Sequence, residues 1–252
     1  MRRFSWRLGR QRWFVLVLGV QLISLGLAAE FGQQLRKCRI DDRSNLDFCL
    51  LKLITDLKPR FRTGIPEVHV PVLDPMTIPN INVEENAHLV RLRARFLQVV
   101  VRGASGFQPT GVHVEPRQES VQLSLAIPEL LIEGLYDISG NVMVLPLQGN
   151  GNFWVGLSGI DANTLSWLKV ENDHLRVVRT DIQFNVKSIR LRLNNLFGGN
   201  SLIGETVNRV LNDNSQQLLE NMKPRIAERI SEAVRRVLND AFSNLPASAF
   251  LT

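Results

Sequence analysis

The chain changes its hydrophobic period twice. From Ser44 onward, apolar residues recur at three- and four-residue steps, at Leu46, Leu50, Leu53, Ile54, Leu57 and Phe61, the spacing of one helical face. Ser44 is placed to cap this helix, with Asp47 three residues on as an approximate capping box. Pro59 and Gly64 are its stop signals. Between Gly64 and Leu193 the period shortens to two. Val68, Val70 and Val72 alternate with Glu67, His69 and Pro71. Val90, Leu92, Ala94 and Phe96 oppose Arg91, Arg93 and Arg95, and Val121, Leu123, Leu125 and Ile127 alternate with Gln122 and Ser124. In the second of these runs the apolar phase slips to Leu97, Val99 and Val101, which predicts a β-bulge. Further strands are predicted over 142–147, 153–157, 165–170, 175–178 and 182–193, with Gly149-Asn150-Gly151 as a hairpin turn. No helical stretch interrupts the series, so it forms an antiparallel meander.

From Ser201 the helical period returns. Ile203, Val207, Val210, Leu211, Leu218, Met222, Ile226, Ile230, Val234, Val237, Leu238 and Phe242 make a stripe about 40 residues long. Pro224 is predicted to break or kink it, because proline removes a donor and clashes with the preceding turn. A one-sided sheet and an amphipathic helix each have an apolar face to bury. The simplest arrangement is an α+β fold. A highly curved antiparallel β-sheet wraps around the long C-terminal amphipathic helix, with a short N-terminal helix in front.

The first 29 residues stand apart. Five arginines precede an apolar run from Trp13 that closes on Ala28 and Ala29, with no acid among them. Basic, then apolar, then small is the layout of a secretory signal, expected to be cleaved near Ala28 or Ala29. The alternative is an uncleaved anchor, which Gly19 and Gly26 weaken as a membrane helix. Domain boundaries follow: 1–29 as signal peptide and 30–252 as a single domain. This division changes the charge argument. Of the chain's net +6, the leader carries +5, leaving residues 30–252 at +1. That balance supplies no electrostatic footprint for nucleic acid. In the oxidising compartment implied by the signal, the two cysteines, Cys38 and Cys49, are expected to pair, stabilising by about 3 kcal/mol.

Catalytic chemistry leaves little trace. The histidines His69, His88, His113 and His174 show no metal-binding spacing. A lipid hydrolase needs Gly-x-Ser-x-Gly, and the strings at 103–106 and 156–159 have the wrong spacing. The glycine-rich stretch at 199–204 imitates a phosphate loop, but Glu205 stands where lysine is needed. No enzymatic activity and no cofactor are therefore expected. The arginine rows Arg91, Arg93, Arg95, Arg190 and Arg192 read either as the solvated side of strands or as an anionic membrane or receptor surface.

Several segments in order carry a family resemblance: Cys38 and Cys49; Gly64-Ile65-Pro66; Leu73-Asp74-Pro75; Gly103 and Gly106-Phe107; Tyr136 and Gly140 leading to Leu145-Pro146-Leu147; Gly149-Asn150-Gly151; Asn195-Leu196-Phe197; Leu211-Asn212-Asp213-Asn214; and Pro224, Phe242 and Pro246. In this series the chain resembles the takeout and haemolymph juvenile-hormone-binding proteins, within the wider tubular lipid-binding superfamily. Ser215 departs from it, where such proteins often carry tryptophan. The resemblance implies a helix wrapped by a curved sheet, an apolar tunnel, secretion and no cofactor. The expected partner is a small hydrophobic ligand, a juvenile-hormone-like terpenoid, fatty acid or related lipid, bound by a monomer. Membrane or receptor contact through the basic strand face or the amphipathic helix is the alternative function. Inward candidates for the ligand are Val70, Val90, Leu92, Phe96, Val121, Leu123, Leu125, Val142, Val144, Phe153, Trp167, Phe184 and Val186. Tyr136, the one tyrosine, has a hydroxyl that either meets a ligand oxygen or makes a structural bond to the backbone.

Overall fold

The computed structural model describes residues 30–86, 90–142, 145–249 and 251. The signal-like leader, His88 and Val144 lie outside the described residues, as does the side chain of Val90. Helix α1 spans Arg43–Phe61. It begins one residue before the position expected from the apolar period, and Asp42, not Ser44, organises its head. The Asp42 carbonyl accepts the Asn45 and Leu46 N–H groups, and its carboxylate accepts Ser44 Oγ at 2.7 Å and Asn45 Nδ2 at 2.9 Å. Asp47 is no part of a capping box. It is turned toward the sheet, where it accepts the Val114 N–H at 2.8 Å and meets His113 Nδ1 at 3.0 Å. Pro59 falls inside the last turn, where the one missing donor does not stop the helix from reaching Phe61.

Six strands follow, all antiparallel: β1 (Met76–Asn86), β2 (Val90–Arg102), β3 (Gln108–Glu115), β4 (Ser120–Val142), β5 (Leu145–Glu171) and β6 (His174–Leu193). Their order is β1-β2-β4-β5-β6, and β3 pairs with the part of the β4 edge that β2 leaves free. Where the apolar phase slips in β2, the register shifts between Leu97 and Val100, with Gln98 at φ 51°. The bulge lets Val99 and Val101 join Ala94 in the core.

The strands are longer than their sequence patterns because three expected breaks are absent, at 149–151, between 157 and 165, and between 178 and 182. Gly149, Asn150 and Gly151 do not turn the chain; they lie inside β5, opposite Ile138, Asp137 and Tyr136. A Cβ on Gly149 would stand 2.9 Å from Leu196 Cα, and one on Gly151 2.5 Å from the Asn194 carbonyl oxygen. These glycines admit the backbone of 194–196 against the strand. The segments at 153–157 and 165–170 are also one strand, as are 175–178 and 182–193. The reversal between β5 and β6 falls at Asn172 and Asp173, at φ 52° and 62°, between the paired Glu171 and His174. Two left-handed residues in a two-residue loop match the right-handed twist of the strands they join.

Beyond the sheet come α2 (Ser201–Asp213) and α3 (Ser215–Ser243). The direction changes at Asn214, whose φ of −110° and ψ of 12° leave the helical region. Pro224 does not break the helix: α3 runs through it at an exposed position, where loss of one bond is tolerated. The helices lie along the outer edge of β6, bonded to its backbone by Asn208, Asn212, Gln216 and Asn239. From the opposite end of the sheet, the carboxylate of Glu85 on β1, 4% exposed, meets Arg225 of α3 at 3.2 Å.

Candidate functional site

The concave face of the sheet is defined by alternation and by one change of phase. On β5, Phe153, Val155 and Leu157 face inward, and beyond Gly159 (φ 61°) the inward set is Ile160, Ala162, Thr164 and Ser166. The neighbouring strands change phase at the same level, from Ile127 to Leu130 on β4 and from Val186 to Ile189 on β6. The inward positions of β4 to β6 carry no Lys, Arg, His, Asp or Glu.

Burial along this face is uneven. One buried cluster joins Tyr136, Ile138, Val142, Phe153 and Leu196 to Val207 and Leu211 of α2. A second, at the other end of α3, joins Phe31, Ile65 and Val68 to Ala241, Leu245 and Ala249. A third holds Ile160, Val186 and Ile189. Val121, Leu123 and Leu125 on β4, and Met222, Ile226, Val234 and Val237 on α3, belong to none of the three and are only half-buried. Apolar side chains on both the sheet and the helix are thus left partly open between filled ends. That is the expected lining of a site for an apolar ligand.

The comparisons agree with this architecture. The family model for haemolymph juvenile hormone binding protein matches residues 13–252. This chain belongs to that family. Among its relatives, the circadian clock-controlled protein daywake of Drosophila yakuba is 25% identical over 236 residues, covering 87% of this chain and 88% of that protein. Daywake of Drosophila melanogaster is 24% identical over 238 residues with the same coverage. The crystal structure of Epiphyas postvittana Takeout 1 has a similar fold, with a TM-score of 0.76 at 20% identity, covering 86% of this chain and all of that one.

Within this family member the inward candidates separate by position. Leu92, Phe96, Val142 and Phe153 fall in or against the first cluster, where the Phe96 and Phe153 rings meet edge to face at 5.1 Å. Phe184 and Val186 belong to the third cluster, and Val70 packs against the second. Val121, Leu123 and Leu125 line the half-open stretch. Val90 pairs with Val142 along the backbone. Trp167 does not face inward, which corrects its place among the candidates. Counting twos from Phe153 puts it on the inner face, but the phase change at Gly159 sends it to the outer one. There Arg179 lies 4.9 Å over its ring.

Tyr136 is 2% exposed, and its hydroxyl donates to the Asn194 carbonyl at 2.7 Å, so the backbone alternative describes its bond. Burial pushes the phenol up to about 12. Cys38 and Cys49 form a disulfide. Three of the five arginines of these rows are paired: Arg93 with Glu84 and Arg95 with Asp137 across strands, and Arg192 with Glu205 of α2. The α3 lining shows in the sequence as a helical stripe, which by itself does not place it at the site. The inward hydroxyls Ser166 and Thr180 interrupt an apolar pattern, and that interruption was the signal for them.

Proposed function

We propose that this chain is a secreted carrier that holds a small hydrophobic molecule between the concave sheet and α3. Residues 1–29 are its cleaved leader and 30–252 its single, monomeric binding domain. The observation that carries the reading is the half-buried apolar lining, with strand side chains Val121, Leu123 and Leu125 and helix side chains Met222, Ile226, Val234 and Val237 outside every filled cluster. Membership of the haemolymph juvenile hormone binding protein family adds support for a terpenoid or related lipid as cargo. The disulfide fits an extracellular life. Burying a molecule of about 15 carbons contributes on the order of 10 kcal/mol gross at about 0.8 kcal/mol per methylene. Association entropy removes part of this, leaving affinities in roughly the micromolar to nanomolar range. Carriage requires no turnover, and the site proposed here contains no paired nucleophile and base.

The test is solvent extraction and mass spectrometry of protein secreted from insect cells, with competition by a juvenile-hormone analogue. A stoichiometric apolar molecule displaced by the analogue is the expected result. An empty protein that takes up neither terpenoids nor fatty acids overturns the reading.

A further inference from the structure

Ser166 on β5 and Thr180 on β6 are register partners, with their hydroxyl oxygens 3.0 Å apart and residues only 9% and 7% exposed. They lie on the inner face, Ser166 opposite Val121 across β4. Two hydroxyls hold two protons, and the bond between them uses one. The other inward hydroxyls of β4 to β6 are engaged elsewhere: Tyr136 donates to the Asn194 carbonyl at 2.7 Å and Thr164 to the Leu123 carbonyl at 3.3 Å. Among the described residues no acceptor takes the second proton of the Ser166–Thr180 pair. A buried donor without an acceptor carries a desolvation cost that an acceptor removes.

We propose that the Ser166–Thr180 pair is the polar anchor of the apolar interior, and that the cargo carries an uncharged acceptor oxygen, as in an ester, ketone or epoxide. The proposal rests on the carrier reading and specifies its ligand. A neutral oxygen is favoured over a carboxylate because the inner positions of β4 to β6 carry no cation, and Lys223 of α3, 5.9 Å from the Phe184 ring, is already bonded to Glu220 and Asn185 at 2.9 Å. The donor sits beside Val121 and Leu123, so a chain anchored there runs its apolar body along the half-open lining.

The experiment compares methyl dodecanoate with n-pentadecane, matched in heavy-atom count, as displacers of a fluorescent naphthylamine probe. The alkane gains more from leaving water than the ester does, so the quantity read is the ratio of ester to alkane affinity in wild type against variants. That ratio is expected to fall roughly tenfold in the double variant Ser166→Ala/Thr180→Val, the equivalent of one good hydrogen bond, with alkane affinity kept; Thr180→Ser is expected to retain the wild-type ratio. A ratio unchanged in the double variant overturns the anchor and leaves the carrier reading standing. If neither probe binds wild type, both fall together. A second measurement is independent of any variant: the carbonyl stretch of bound, isotopically labelled ester in wild type is expected to shift down as it accepts a hydrogen bond. An unshifted band overturns the anchor.

Discussion

The carboxamide of Asn208 accepts the Leu193 N–H at 2.8 Å and donates to the Leu193 carbonyl at 2.9 Å, making from a helix both bonds that a neighbouring strand would make. Asn212 repeats the pair on Leu191, at 3.0 and 2.8 Å. Four residues of helix rise about 6 Å and two residues of strand about 6.7 Å, so amides at that spacing fall in step with alternate residues of β6. Asn239 does the same for Val177, at 2.8 and 3.1 Å. The last edge of the sheet is thereby closed by side chains, which guards it against pairing with another chain.

Replacing Asn208 by alanine removes both bonds and leaves part-buried backbone groups of Leu193 without partners. The expected loss is about 2–4 kcal/mol, read as a lower urea midpoint. Concentration-dependent association by light scattering is expected to accompany it.

Because the sequence holds one tyrosine, tyrosinate absorbance reports Tyr136 alone. Its midpoint is expected at about 12 in the folded protein and near 10 in denaturant. The raised value means the folded state holds its proton longer than the unfolded one. Stability therefore falls as pH rises from about 10 toward 12, by on the order of 2–3 kcal/mol. A folded midpoint near 10 contradicts the burial described here.

Removing the disulfide by Cys38→Ser/Cys49→Ser is expected to cost about 3 kcal/mol by calorimetry. Cys38 also bridges along the backbone to Leu251. Proteolysis should accordingly begin in the segment before α1.

Asp74 accepts Ser105 Oγ at 2.8 Å and the Gly103 N–H at 3.1 Å. The Ser105 hydroxyl first, and then the backbone donors, hold its carboxyl below the usual carboxylate range. A depressed value stabilises the fold above the unfolded reference of about 3.9 and ceases to do so as pH falls through the folded value. Asp74→Asn is expected to cost no more than about 1 kcal/mol at neutral pH, given the screening at a half-exposed position. The gap between variant and wild type is expected to close in acid, as followed by urea midpoints across pH.

The fold was largely legible because its two periods are segregated along the chain, and the β2 bulge showed in the slip from Phe96 to Val99. Gly149 and Gly151 look like turn residues, yet what they accommodate is the later segment 194–196, and no local pattern announces a distant backbone. Trp167 was misplaced because one glycine, Gly159, reverses the phase for the rest of its strand. Pro224 carries a strong local signal, yet α3 continues through it with side-chain bonds to β6 on either side. The half-open lining lies in the relation between strand and helix stripes, which either stripe alone does not reveal.

The bond between Glu85 and Arg225 has a mechanical consequence. One margin of the sheet is stitched to the helices by amides, and at the other the buried Glu85 carboxylate meets the largely exposed Arg225, so α3 links both margins. A helix fastened at both margins limits how far the two edges of the sheet can part, so widening the space between sheet and α3 has to break either the amide bonds along β6 or the contact of Arg225 with Glu85.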